Sequence, residues 1–375
     1  MKHLAAKLAL LGVAAAVTLG TVAGTASASF SLKGAGSTLI QPMLANVWIP
    51  DFQSANSGDS IAYGGGGSTT GINDITANSV NFGASDAPMT SSQQAACAKC
   101  VQIPWALSAT GPVFNINGVT SLNLSGPVLG GIYSGTITKW NDPAIAALNK
   151  GVSLPSAPIA VFWRSDGSGD TFVFESFLAA TDPAYKTYLG TKSAVPSTTS
   201  IFAAGTGEKS NSGVASAVSS TPDSIGYVST FYARDANLHG AAVENESGKF
   251  VKPYPSSMTA AADLVPSSQL GSSADGTEPV IANDVVAAGG YKPKKVKKGK
   301  KAPKPTKTDL EKLAAYPLST FTDVIVRNDG SDVTDLQTFI EFCLSTAEQA
   351  KGPTQSFAPL PAAVDKFDLA QVKAL

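Results

Sequence analysis

Three times along this chain an apolar stretch runs into glycine and small hydroxyl residues and then into apolar positions at helical spacing. In the first, Phe30–Gly36 leads through Ser37-Thr38 to Leu39, Met43, Val47 and Trp48, which fall on one side of a helix. In the second, Ser60–Gly67 ends in four glycines before Ser68-Thr69-Thr70. In the third, APIAVFWRSDG leads to Ser168-Gly169-Asp170 and the run Thr171–Ala179, whose apolar residues suit a helix as well as a strand. Each unit predicts strand, glycine turn and helix start. A helix start leaves several backbone N–H groups unpaired and carries about half a positive charge, so each is ready to meet an anion. A fourth stretch, NFGASDAPMT, places Asp86 at the end of a short apolar strand.

Two further segments, GPVFNING at 111–118 and YPLSTFTDVIV at 316–326, read as extended strands passing between two lobes. The chain is expected to leave a first α/β lobe (29–112 with 318–375), build a second (113–317) and return. In open α/β sheets the loops after the strands gather in one crevice, so the glycine-rich turns can converge.

The amino end changes the picture of location. Lys2 and Lys7, the apolar run Leu8–Val17 and Ala26-Ser27-Ala28 match a signal peptide over residues 1–28, cleaved near Ala28, better than a membrane span. No cysteine precedes Cys97, so no lipid-anchor cysteine is expected, and the mature chain reads as extracytoplasmic.

Charge is uneven. Residues 292–307, KPKKVKKGKKAPKPTK, hold nine lysines and no acid. Setting these and Lys2 and Lys7 aside leaves 16 basic against 28 acidic residues, a net of −12. An anion site in such a body must rely on local dipoles and one or two placed cations. The lysine tract, within an insertion at about 290–308, is rich in proline and poor in apolar residues and is expected to be disordered. Its field would attract an anionic cell-envelope polymer or serve only as a solvated loop; no dedicated nucleic-acid partner is expected.

Histidine supplies an exclusion. The mature chain has His239 alone, and no Gly-x-Ser-x-Gly elbow accompanies it, so a serine or cysteine triad has no support and a His-rich metal site is ruled out by count. Cys97 and Cys100, in CAKC, read as a small structural disulfide. A zinc site lacks further ligands, and a redox motif would need a long helix where a proline follows. Cys343, in TDLQTFIEFCLSTAEQA, reads as a buried thiol. Each Ser or Thr helix cap has an ordinary explanation taken alone. Together with Arg164 and Asp86, and without base or metal, they describe a site that holds a small oxyanion without reacting with it.

GAGSTLIQP, YGGGGSTTGINDI, NFGASDAP, LGGIYSGTITKWNDPAIAALN, RSDGSGDTFVFESFL, DSIGYVSTFYA and YPLSTFTDVIV occur in this order and cover most of the mature chain. They resemble the PstS family, the phosphate-binding component of bacterial high-affinity phosphate ABC transporters. The resemblance implies a type II periplasmic-binding-protein fold, two α/β lobes joined by crossover strands with the ligand cleft between them. It implies a monomer that uses no cofactor, binds inorganic phosphate with arsenate as analogue, and hands it to a transporter permease. The family's ligand contacts fall on Thr38, the backbone N–H of Leu39, Ser68, Asp86, Arg164, Ser168, Gly169 and the position of Asp170. Where Asp170 stands a threonine is common; the aspartate either turns away, giving only its N–H, or accepts a second proton from the ligand and favours the phosphate monoanion. The rival readings are a phosphatase, lacking a supported nucleophile, and an envelope scavenging or adhesion protein acting through the lysine tract.

Overall fold

The computed structural model describes residues 29–192, 197–266, 269, 280–293 and 303–375. The expected signal peptide lies outside them, as do residues 294–302 of the lysine tract. Twelve strands occur among the described residues. The first four are β1 (Ser31–Gly36), β2 (Ser60–Gly64), β3 (Phe82–Ser85) and the sixteen-residue β4 (Cys100–Asn115). Then come β5 (Asn123–Leu124), β6 (Ala160–Arg164), β7 (Thr206–Glu208) and β8 (Ser224–Ser229). The last are β9 (His239–Gly240), β10 (Ala242–Glu244), β11 (Phe250–Val251) and β12 (Ser319–Arg327).

The main sheet runs β2-β1-β3-β12-β4-β8-β6-β7, with β9 beside β4; β11, β10 and β5 form a small second sheet. At one end β1 pairs in parallel with β2 and β3, and at the other β6 pairs in parallel with β8 and β7. Strand β4 joins the two ends. Its residues Cys100–Ala109 pair antiparallel with β12, and Thr110–Asn115 pair antiparallel with β8. Strand β12 returns antiparallel to both β3 and β4. This is a mixed α/β architecture of the type II periplasmic-binding-protein kind. The strand-to-helix turns of both halves face the same junction.

Two groups of aromatic rings lie within one continuous apolar core, one toward each end of the main sheet. In the first, Trp48 and Trp105 rings lie 5.3 Å apart, and Phe82 packs on Trp105 and Phe339. In the second, Phe174 stacks on Tyr227 at 4.6 Å and Tyr133 meets Phe174 edge-on. Such rings bury large apolar areas with few rotatable bonds, which makes each half a rigid support for its turns.

The first helix differs from the simple expectation. Thr38–Ile40 form a turn, helix begins at Gln41, and Leu44–Trp48 are wound as a π-helix before α-helix resumes over Ile49–Ala55. Pro50 has no N–H to give to the carbonyl four residues back, and the wide segment sits directly before it. Leu39, Met43, Val47 and Trp48 are all buried. The insertion also needs a correction at its carboxyl end. Lys307 and Thr308 open a helix, Lys307–Ala314, whose start is fixed by a capping box between Thr306 and Asp309 and by the Lys307–Glu311 pair. Cys97 and Cys100 are disulfide-bonded and Cys343 is a buried thiol.

Candidate functional site

Strand β3 is buried along its whole length, so the next residue, Asp86, emerges at the junction while remaining 4% exposed. The Ser37 hydroxyl, just past β1, donates to this carboxylate, lying 2.7 Å from Oδ1 and 2.6 Å from Oδ2. The same oxygen accepts the Leu39 N–H at 3.0 Å. Ser68, the first residue of helix Ser68–Thr76, reaches Asp86 Oδ2 at 3.3 Å and accepts the Asp86 N–H at 3.1 Å. The first half thus presents a carboxylate ringed by hydroxyls.

Arg164 ends β6 and is 1% exposed. Asp166 faces it with both oxygens: Nε donates to Oδ1 at 2.7 Å, and Nη2 donates to Oδ2. On the other side Nη1 donates to Asp170 Oδ2 at 2.8 Å. A guanidinium has five N–H donors, so one remains on each terminal nitrogen. Ser168 caps helix Gly169–Thr181 by accepting the Thr171 N–H, which places Gly169 and Asp170 in the first turn. Tyr227 ties this arrangement to the aromatic core, for its hydroxyl meets Thr171 Oγ1 at 2.6 Å and accepts the Arg164 N–H at 3.2 Å.

The halves touch through these groups. Gly169 N–H donates to Ser68 Oγ at 3.1 Å, and Thr69 N–H donates to Gly167 O at 3.1 Å. Asn211 Nδ2 donates to Thr38 Oγ1 at 3.0 Å and to Asp170 Oδ2 at 2.7 Å. Glycine is required here: a Cβ on Gly67, whose φ is +89°, would lie 2.5 Å from Gly167 O, and one on Gly169 would lie 2.5 Å from Asp86 Cβ.

Electrostatics follow from burial and crowding. Burial first, and then the charge of Asp170, push the Asp86 carboxyl up to about 7, against the pull of Ser37, Thr322 and Arg164. Burial alone would lower Arg164, but its bond to Asp166 and the charges of Asp170 and Asp166 outweigh that and hold it above its ordinary value. Burial likewise opposes ionisation of Asp166, and the bond and charge of Arg164 overcome it, leaving the carboxyl below the usual range.

All eight residues expected from the sequence therefore meet in one bonded cluster, with differences in what they do. The Leu39 N–H is given to Ser37. Asp170 neither turns away nor stands free: Oδ1 accepts from Thr110 Oγ1 at 2.6 Å and Oδ2 from Arg164 and Asn211. The sequence reading missed Ser37, Asp166, Asn211 and Thr110. Asp166 was visible in RSDGSGD, two residues from the arginine. Asn211 opens helix Ser210–Ser220 after β7, in a fourth unit of small polar residues at a helix start. His239 is exposed on β9 against the Phe114 ring, away from the cluster.

A family described as the PBP superfamily domain matches residues 21–347. The phosphate-binding protein PstS of Pasteurella multocida is 39% identical over 249 residues, 66% of this chain and 70% of that protein. The PstS of Xylella fastidiosa is 38% identical over 236 residues, 62% of this chain and 63% of that one. In fold, the chain is similar to a high affinity periplasmic phosphate-binding protein solved with bound phosphate, with a TM-score of 0.66 and 23% identity over 92% of this chain and 93% of that one. A putative phosphate ABC transporter substrate-binding protein from Clostridium perfringens, also with bound phosphate, gives a TM-score of 0.59 at 16% identity over 88% of this chain and all of that one.

Proposed function

The chain belongs to the PBP superfamily and to the PstS phosphate-binding proteins within it, and from that membership we propose that it captures inorganic phosphate between two lobes and delivers it to the permease of an ABC transporter. The lobes are residues 29–112 with 318–375, and residues 113–317. The mature protein works outside the cytoplasm, and it binds its ligand without altering it.

One observation carries the reading. Asp86 is a buried carboxylate that already takes a hydroxyl hydrogen, and it sits across the junction from a buried guanidinium with donors to spare. Ser37 plays the part that a P–OH group would play against Asp86. When phosphate takes that place, Ser37 turns aside and the Leu39 N–H is released to a phosphate oxygen. Thr38, Ser68, Ser168 and the N–H groups of Gly169 and Asp170 bond the remaining oxygens, together with Arg164. Charge-assisted bonds contribute roughly 1.5–3 kcal/mol each, so a few suffice for the ~8 kcal/mol of micromolar binding.

The test is calorimetric titration of phosphate-stripped protein with phosphate, arsenate and sulfate. Phosphate and arsenate are expected to bind at micromolar concentration or tighter and sulfate to give no heat; absence of phosphate binding would overturn the reading. A second outcome follows from the junction. A Cβ on Gly169 would also lie 2.7 Å from Ser68 Oγ, so Gly169→Ala prevents the close approach of the halves. Overpacking costs about 1–3 kcal/mol, so phosphate affinity should fall about ten- to hundredfold, and because the halves already touch here without ligand, the melting temperature of the ligand-free protein should fall as well.

A further inference from the structure

Beside the cluster lies a second buried carboxylate that the phosphate reading does not use. Strand β12 sets Asp323 opposite Ser85 of β3, one residue before Asp86. Asp323 is 4% exposed. Its Oδ2 accepts from Gln102 Nε2 at 2.8 Å, its Oδ1 has no hydrogen-bond partner, and none of the ion pairs among the described residues includes it. Gln102, from β4, also donates to Ala87 O at 3.0 Å and accepts the Met89 N–H at 2.9 Å, so it fastens Asp323 to the segment that carries Asp86. An ionised carboxylate buried without a cation is costly, and two neighbouring ones repel, so such a pair holds on to a proton.

We propose that Asp323 is a positioning residue that keeps this proton, leaving Asp86 ionised as the acceptor for the ligand's own hydrogen, and that loss of the proton from Asp323 weakens binding. The ligand arm of the inference rests on the phosphate reading; the carboxylate pair does not.

The groups that act on the pair are few. Asp86 is the charged group facing Asp323, with Gln102 on β4 favouring the ionised form. Asp86 in turn faces Asp170 and Arg164 from the second half, the hydroxyls of Ser37 and Thr322, and Tyr63 from β2, whose own hydroxyl is pushed up by burial and by Asp86. Burial, followed for Asp323 by Gln102 pulling back and Asp86 repelling, brings both carboxyls up to about 7. Carboxyls raised in the fold stabilise it fully below their unfolded value, and that contribution is lost as pH rises through the folded value. The ligand-free protein is therefore expected to lose thermal stability from about pH 4 to about pH 7. Above that, the complex must recover a proton on Asp323, and affinity falls by up to about tenfold per pH unit.

Asp323→Asn keeps the shape and cannot ionise. Its melts should fall less steeply over the same pH range. The ratio of its phosphate affinity to that of the parent should grow about tenfold or more between pH 7 and 9, the ionisation of phosphate itself being common to both proteins. Calorimetry in buffers of different ionisation enthalpy should show proton uptake on binding for the parent and less for the variant. A ratio constant across pH, with equal proton uptake, would assign Asp323 to structure alone and overturn the proposal. Gln102→Leu removes the bond that favours the charged form, so the loss of affinity should begin at higher pH; an unmoved profile overturns the proposal even where Asp323→Asn does not fold. If the parent binds no phosphate yet the melts respond to Asp323→Asn as described, the phosphate reading fails and the carboxylate pair stands.

Discussion

Arg164→Ala is expected to abolish phosphate binding and to cost the ligand-free protein about 3–5 kcal/mol, the usual penalty for removing one partner of a buried ion pair. Both effects come from the same geometry. The guanidinium is held by Asp166 on one edge and by Asp170 on the other, and all of it is buried. Truncation leaves two carboxylates facing each other without their cation. It also deletes the two remaining N–H groups that would meet the ligand, at roughly 1.5–3 kcal/mol each, so affinity drops by about 10²- to 10⁴-fold before any rearrangement is counted. Denaturant unfolding reads the first effect and calorimetry the second. Arg164→Lys separates them further, since a point charge keeps part of the pairing but cannot reproduce the planar fork. Micromolar phosphate binding by Arg164→Ala would remove this residue from the site.

The strand–turn–helix units were legible in the sequence because they depend on local rules: periodicity, glycine before a cap, and a carboxylate at a strand end. Asp86 and Arg164 followed from that grammar. What stayed hidden depends on groups brought together from afar. The orientation of Ser37 is set by Asp86, forty-nine residues away; the role of Asn211 is set by Thr38 and Asp170 on two different elements. The double membership of β4 needs β8 and β12 to exist before it can be seen. The π-helical segment before Pro50 was signalled locally, and the helical spacing of the buried residues masked it.

The acidic body raises a question that the structure answers in parts. A chain whose body carries a net charge of −12 gathers four aspartates around a site for an anion. Two of them, Asp166 and Asp170, are tied to Arg164 and make it a rigid donor. Burial and mutual repulsion raise the other two, Asp86 and Asp323, so that the pair holds on to one proton. Pairing and protonation thus keep local repulsion low, so selectivity rests on which hydrogen each oxygen can offer or accept.

Asp86→Asn tests that point, and its effect on selectivity is expected to be large. An ionised carboxylate only accepts, so it bonds a ligand that carries a hydrogen and repels one that does not. Phosphate carries one near neutral pH and sulfate does not. A site built around one such bond discriminates by about 10⁴-fold or more. The amide of asparagine offers both an oxygen and an N–H, so it turns to suit either anion. Phosphate-over-sulfate preference should therefore fall toward unity, chiefly through a gain in sulfate affinity. The substitution also removes a buried carboxyl raised to about 7, so at neutral pH the ligand-free variant should be more stable than its parent by an amount on the order of a few kcal/mol. At pH 4, where the parent's carboxyl already holds its proton, that advantage should vanish. An unchanged preference, or a variant less stable than its parent at pH 7, would show that Asp86 is not the proton-reading acceptor of this site.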